Sequence, residues 1–263
     1  WQSEGELADF LCKQEIACLH DVDTRAVTRR IRSAGTMKGV IVSEGTQQDE
    51  IKKLLDKNIK KDVVLEVTTP KIYTIEADQE DAPHVAVLDF GIKQNILRSL
   101  HEFGFKLTVM PAYTTAEEVL ALEPDGIFLS NGPGNPKDVP EIIAEVKKLI
   151  GQKPIFGICL GHQLLSNAFG YETYKLKFGQ HGANHPVLNL ETKAIEITTQ
   201  NHNYNVPESI AEVAVVTHRN LFDNTIEGVR YKDYPIFSVQ HHPEASGGPS
   251  ESKYIFKQFL EIL

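Results

Sequence analysis

From residue 84 onward the chain repeats one pattern: a short apolar run, then an amphipathic stretch with apolar residues three or four positions apart. The runs at 85–90, 106–110, 126–130 and 154–158 predict buried strands, and the stretches 93–103, 115–122 and 139–150 predict helices between them. Such alternation predicts right-handed crossovers, hence an α/β fold: a mostly parallel sheet flanked by helices on both faces. Ligands of these sheets bind outside the carboxyl ends of the strands. Further strands are expected at 194–199, 213–217, 227–231 and 236–240. A closing amphipathic helix is expected over 251–263, where Tyr254, Ile255, Phe259 and Leu260 have the spacing of a face packed on the sheet.

The first 70 residues follow a different rhythm. Helical periodicity covers 6–12 and 24–31, a β-branched run at 39–42 predicts a strand, and 52–61 reads as a charged, solvated helical surface. These elements predict part of a smaller N-terminal α/β domain. The chain then turns polar and acidic between Thr68 and Pro83, which sets the expected boundaries at 1–70, a linker at 71–83 and a second domain at 84–263. Position 1 is Trp and not Met, so chain upstream of it is expected.

Composition narrows the function classes. With 263 residues, 27 Lys+Arg against 36 Asp+Glu, a net charge of −9 and 41% hydrophobic residues, the chain reads as an ordinary globular protein. Its acidity disfavours nucleic-acid binding. No apolar run approaches the roughly 20 residues that span a bilayer, and no basic-then-apolar leader opens the chain, so no membrane association and a cytoplasmic location are expected. The three cysteines, Cys12, Cys18 and Cys159, include no CxxC pair, and neither a disulfide framework nor a metal site is expected from them. His181, His185, His202 and His241 lack the spacing of a metal motif as well.

The sharpest chemical signal is Gly157-Ile-Cys159-Leu-Gly161, where a strand gives way to a helix. A nucleophile on a tight strand-to-helix turn needs small neighbours, and the helix N-terminus brings partial positive charge and free amides to it. A plain core cysteine is the alternative; the glycines on both sides favour the nucleophile. Such a nucleophile needs a base and a group to orient that base. His242 and Glu244 lie two apart in an extended segment and so face the same way, although the sequence does not fix a hydrogen bond between them. The loop Leu129-Ser-Asn-Gly132-Pro-Gly134-Asn-Pro136 follows a strand. Alone it reads as an ordinary turn; beside Cys159, its freed amides and that of Leu160 form a two-donor oxyanion hole. It lacks the third glycine of a dinucleotide loop, and the chain has no P-loop.

The segments Ser130-Asn-Gly-Pro-Gly-Asn-Pro136, Gly157-Ile-Cys-Leu-Gly-His-Gln163 and His242-Pro-Glu244, in this order, resemble class I glutamine amidotransferases. Three more, residues 88–98, 177–186 and 199–202, together with 23–32, are similar to the small, glutaminase chain of carbamoyl-phosphate synthetase, and the resemblance spans essentially the whole chain. It implies attack of Cys159 on the side-chain amide of L-glutamine, a thioester, and release of ammonia to a large subunit, for arginine and/or pyrimidine biosynthesis. His242 would move the protons, oriented by Glu244. Gly132 and Leu160 would stabilise the oxyanion, and Gly132, Gly134, Leu160, Gln163, Asn201, Asn203 and Tyr204 would hold glutamine. No cofactor is implied in this chain; ATP and Mg would act in the large subunit.

Two departures stand out. Asn203-Tyr204 replaces a common Gly-Phe, and Asn is expected to keep the backbone contact because it tolerates positive φ. The family also uses an early serine against glutamine, for which no segment precedes Trp1. A freestanding γ-glutamyl amide hydrolase of the same fold and a non-catalytic docking module are the alternative readings.

Overall fold

Apolar residues occupy both faces of the central strands, so helices must cover both sides. The computed structural model describes every residue except 1, 2, 4, 59, 246 and 247. Its strands are β1 (Tyr73–Ile75), β2 (His84–Asp89), β3 (Lys106–Pro111), β4 (Gly126–Leu129), β5 (Ile155–Ile158), β6 (Tyr174–Asn189), β7 (Ile195–Asn205), β8 (Ala214–Asn220), β9 (Ile226–Tyr231) and β10 (Ile236–Val239). They form one sheet in the order β1-β3-β2-β4-β5-β10-β9-β8-β6-β7. The block β3-β2-β4-β5-β10 is parallel. From β10 outward to β7 the pairing is antiparallel.

The helices are α1 (Leu7–Lys13), α2 (Thr24–Ala34), α3 (Gln48–Asp56), α4 (Val64–Val67), α5 (Gln94–Glu102), α6 (Ala116–Leu120), α7 (Pro140–Leu149), α8 (Leu160–Ala168) and α9 (Tyr254–Glu261). Their starts follow local chemistry. Asp23 caps α2 by accepting from the Ala26 amide, Thr115 and Glu118 close a capping box on α6, and Pro140 opens α7.

Alternate strand residues feed two cores. Ala86, Leu88, Ile127, Leu129 and Ile155 pack beneath α6, α7 and α8. Val85, Val87, Leu107, Phe128 and Phe156 pack against α5 and α9. The Phe156 ring lies 4.6 Å from Phe237, 5.2 Å from Phe128, 5.6 Å from Phe259 and 5.9 Å from Phe256, centroid to centroid.

Four features depart from the expected elements. Residues 39–42 are not a strand: no strand lies beside them among the described residues, and Ile41 is exposed. The stretch expected as a linker contributes β1, which pairs antiparallel with β3 at the sheet edge. The charged helix ends at Asp56, short of residue 61. The 16-residue β6 has no clean alternation because register shifts interrupt its pairing with β7 between Lys175 and Gln180 and between Gly182 and His185. Among the described residues up to 70 there are four helices and no strand, and the Thr36 amide donates to the Lys177 carbonyl (3.0 Å), tying this region to β6.

Because Phe156 joins four other rings in a filled core, Phe156→Ala should destabilise the fold by about 3–5 kcal/mol in urea unfolding.

Candidate active site

The carboxyl ends of β2, β4, β5 and β10 converge on one cleft of about 400 Å³. Cys159 sits between β5 and α8 with φ 52° and ψ −99°, a conformation that a non-glycine residue holds only when its surroundings enforce it. The surroundings do so. Its amide donates to the Val239 carbonyl (2.8 Å), its carbonyl accepts from Gln163 N (3.2 Å), and Gly161 N donates to the Ser130 carbonyl (3.0 Å). A Cβ on Gly161 would stand 2.2 Å from the Leu129 carbonyl oxygen, and one on Gly157 would stand 2.9 Å from the Gly161 carbonyl carbon. Both positions therefore require glycine.

His242 follows β10, and its amide donates to the Thr199 carbonyl (3.0 Å). Its Nδ1 lies 2.7 Å from Glu244 Oε1, which leaves Nε2 free in the cleft that His242 and Cys159 both line. Burial disfavours the imidazolium, but the charges and hydrogen bonds of Cys159 and Glu244 outweigh it and raise His242 to about 9. Burial likewise opposes charge on Glu244, yet the charge and hydrogen bond of His242, with Lys93 behind them, hold its carboxyl below the usual range. Thiol, imidazole and carboxylate thus form a connected chain.

The Gly132 and Leu160 amides have no protein acceptor among the described residues. A Cβ on Gly132 would stand 2.4 Å from the Phe90 carbonyl oxygen, so the loop backbone presses against the end of β2. Gly134 has φ +92° and lines the same cleft. Gln163 donates Nε2 to the Tyr204 carbonyl (2.8 Å) and to Gln240 Oε1 (2.9 Å), leaving Oε1 as a free acceptor. Asn201, Asn203 and Tyr204 lie on β7 and line the cleft. Asn201 Oδ1 is held by His181 Nδ1 (2.9 Å), whereas the buried Asn203 Oδ1 has no partner among the described residues. Asn203 does not use the positive φ that Asn tolerates; it continues β7 as extended backbone. Leu160 is buried beside the loop and touches the site through its amide.

Several residues were not singled out from sequence. Lys93 lines the cleft and places Nζ 3.1 Å from Glu244 Oε1. Asn95 Nδ2 donates to the Glu244 carbonyl (2.5 Å), and Asn131 Oδ1 accepts from the Lys93 amide (3.0 Å). His202, weighed from the sequence only as a metal ligand, lines the cleft with Nδ1 2.9 Å from the Tyr204 carbonyl. Lys93, Asn95 and His202 fall inside the motif segments 88–98 and 199–202, which was the available signal. Among the described residues no three His, Cys, Asp or Glu side chains converge as a cation site. His162, packed on Ser238 Oγ (2.8 Å), is pushed down to about 3 by burial, and His241 is fully buried. Among the described residues, too, no helix is long and apolar enough to cross a membrane.

Sequence comparison agrees with this geometry. The class-I glutamine amidotransferase family profile matches residues 86–262, and the profile of the carbamoyl-phosphate synthase small chain, CPSase domain, matches residues 1–41. A carbamoyl phosphate synthase small chain of Campylobacter jejuni is 51% identical over 100% of this chain and 76% of the relative. The chain belongs to the carbamoyl phosphate synthase small chain family. A family member from Clostridium perfringens is 46% identical over 99% of this chain and 74% of the relative, and one from Chlorobaculum tepidum is 48% identical over 100% and 74%. Two solved structures share the fold of the amidotransferase part. One is a protein from Thermoplasma acidophilum assigned to GMP synthase (TM-score 0.61, 24% identity, 70% of this chain and 95% of that one). The other is PurLQS from Thermotoga maritima (TM-score 0.54, 18% identity, 68% and 98%).

The raised value of His242 carries a sign. Its charged pairing is complete below about pH 6.5 and is lost as pH rises through about 9, so the stability it contributes disappears across that window. Cys159→Ala and Glu244→Gln should each lower the His242 midpoint in an NMR titration, and an unmoved midpoint in both would dissolve the chain described above.

Proposed function

We propose that this chain hydrolyses the side-chain amide of L-glutamine through a thioester on Cys159 and supplies the ammonia to the large subunit of carbamoyl-phosphate synthetase. The observation that carries the reading is a cysteine on an enforced positive-φ turn, facing a histidine oriented by a buried carboxylate, in a chain of the small-chain family.

In this reading glutamine lies in the 400 Å³ cleft with its amide carbon at the Cys159 sulfur. His242, charged beside the thiolate, holds the proton that the leaving ammonia needs. Sulfur attacks the carbonyl carbon, and the oxygen takes negative charge against the bare amides of Gly132 and Leu160. Collapse of this intermediate breaks the C–N bond as His242 Nε2 delivers its proton to nitrogen. Neutral His242 then takes a proton from water, which attacks the thioester; glutamate leaves and the proton returns to the Cys159–His242 pair. Glu244 keeps the Nδ1–H tautomer throughout, with Lys93 sharing its Oε1. Gln163 Oε1, a free acceptor, suits the α-ammonium of the substrate, and Asn201, Asn203 and Tyr204 close the opposite wall. ATP and Mg act in the large subunit and take no part in these steps.

Ammonia release from glutamine, measured with and without a large subunit and ATP, tests the reading. Release should depend on Cys159 and rise with the partner, and Cys159→Ser should lower it at least about 1,000-fold while leaving the far-UV spectrum unchanged. Equal release without the partner would favour a freestanding γ-glutamyl amide hydrolase, and undiminished release by the serine variant would exclude the thioester.

A further inference from the structure

Behind the wall of the cleft runs a line of polar groups, most of them buried, to which the steps above assign no proton transfer. Gln200, His202 and Tyr204 alternate along β7, and the fully buried Glu227 reaches Gln200 from β9, although β8 and β6 lie between the two strands in the sheet. One end of the Gln200 amide lies 2.9 Å from Glu227 Oε2 and 3.0 Å from Thr198 Oγ1; the other end lies 3.1 Å from His202 Nε2. His202 Nδ1 is 2.9 Å from the Tyr204 carbonyl, the same oxygen that accepts from Gln163 in the cleft.

Proton counting fixes this line. A carbonyl oxygen only accepts, so His202 carries its proton on Nδ1. A neutral ring then has a bare Nε2, which needs a donor, and the NH₂ end of Gln200 must face it. The two ends of a side-chain amide have nearly the same shape, so the protons around Gln200 decide its orientation. Its oxygen then faces Glu227 Oε2 (2.9 Å) and Thr198 Oγ1 (3.0 Å); each oxygen pair needs a proton, so Glu227 must carry one and the Thr198 hydroxyl must turn its own from the His185 carbonyl to Gln200. The alternative places a carboxylate on Glu227 and an imidazolium on His202, two buried charges kept apart by Gln200, which burial disfavours.

Resting on the glutaminase reading, we propose that Glu227 and Gln200 are positioning residues for glutamine: a neutral Glu227 donates to Gln200, which fixes His202 and, through the Tyr204 carbonyl, the wall against which Gln163 is set. Other groups around Glu227 agree with a neutral carboxyl. Asn220 Nδ2 donates to its Oε1 (3.0 Å), and Gln180 separates it from Asp223, whose carboxylate accepts from Gln180 Nε2 (2.6 Å). His242 bears on it by its charge from beyond the end of β10, and His241, next to it, packs on His218 with ring centroids 5.6 Å apart. Burial raises Glu227 to about 8, and burial lowers His202 to about 4. As pH rises through about 8, Glu227 loses its proton to solvent, the amide must turn its NH₂ toward the carboxylate, and its oxygen then meets the bare Nε2 of His202. Glutamine affinity should fall over that window.

Two readouts test this on the full chain. Infrared titration should show a protonated carboxyl band that disappears with a midpoint near about pH 8 and is missing from Glu227→Gln, while nitrogen NMR should report the Nδ1–H form of His202 at neutral pH. Calorimetry of glutamine binding, in a Cys159→Ala background that removes the chemistry, should show affinity falling about tenfold from neutral to alkaline pH, the size of one lost buried hydrogen bond. Glu227→Gln, whose amide has no proton to lose in this range, should remove that dependence. Gln200→Leu should bind weakly at every pH. Absence of the infrared band, unaltered pH dependence in Glu227→Gln, or full affinity in Gln200→Leu would each overturn the proposal. Should glutamine bind at no pH, the glutaminase reading fails, and the infrared and nitrogen signals still decide the protonation of the relay.

Discussion

The first turn of α8 approaches the ends of β4 and β5 so closely that no side chain fits between them. Gly161 lies against the Leu129 carbonyl and Gly157 against Gly161, and this contact forces Cys159 into its positive-φ conformation. The proposed chemistry follows from that approach. It aims the sulfur out of the sheet, leaves the Leu160 amide without a protein acceptor among the described residues, and sets the thiol beside the histidine that follows β10. The parallel half of the sheet supplies the rigidity: β4, β5 and β10 are locked in register, so the Gly132 loop, Cys159 and His242 enter from three neighbouring strand ends.

The antiparallel half has a different task. It carries β7 past the cleft, so that Asn201, Asn203 and Tyr204 form a wall facing the nucleophile. Bulges in β6 and polar residues at its interior positions let this half hold amide and imidazole side chains in place of an apolar layer. A buried polar layer is stable only when each member finds a partner, which is why the protonation of Glu227 and the orientation of Gln200 matter to the shape of the cleft.

The site's geometry was legible in the sequence to the extent that it is local. Gly-x-Cys-x-Gly after an apolar run fixes an elbow, and two residues spaced i, i+2 after a strand fix His242 and Glu244 on one side. The parallel strands were equally plain because they are apolar on both faces. What escaped depends on distant partners. The strand β6 has two glycines and broken register, so period two does not survive in it. Three residues of the expected linker became β1 because the edge of β3 was open to pair with them, and residues 39–42 found no such edge. Lys93 and Asn95 reach Glu244 across roughly 150 positions of chain, a proximity that only the folded sheet creates.

The central claim is that Cys159 becomes covalently acylated by glutamine. Intact-mass measurement after rapid acid quench of the chain with excess glutamine, followed by peptide mapping, addresses it most directly. The account predicts one γ-glutamyl group per chain, on the peptide that carries Cys159 and on neither Cys12 nor Cys18, both of which are exposed. Turnover of glutamine to glutamate with no acyl group trapped on Cys159, or with the group on another cysteine, would contradict it.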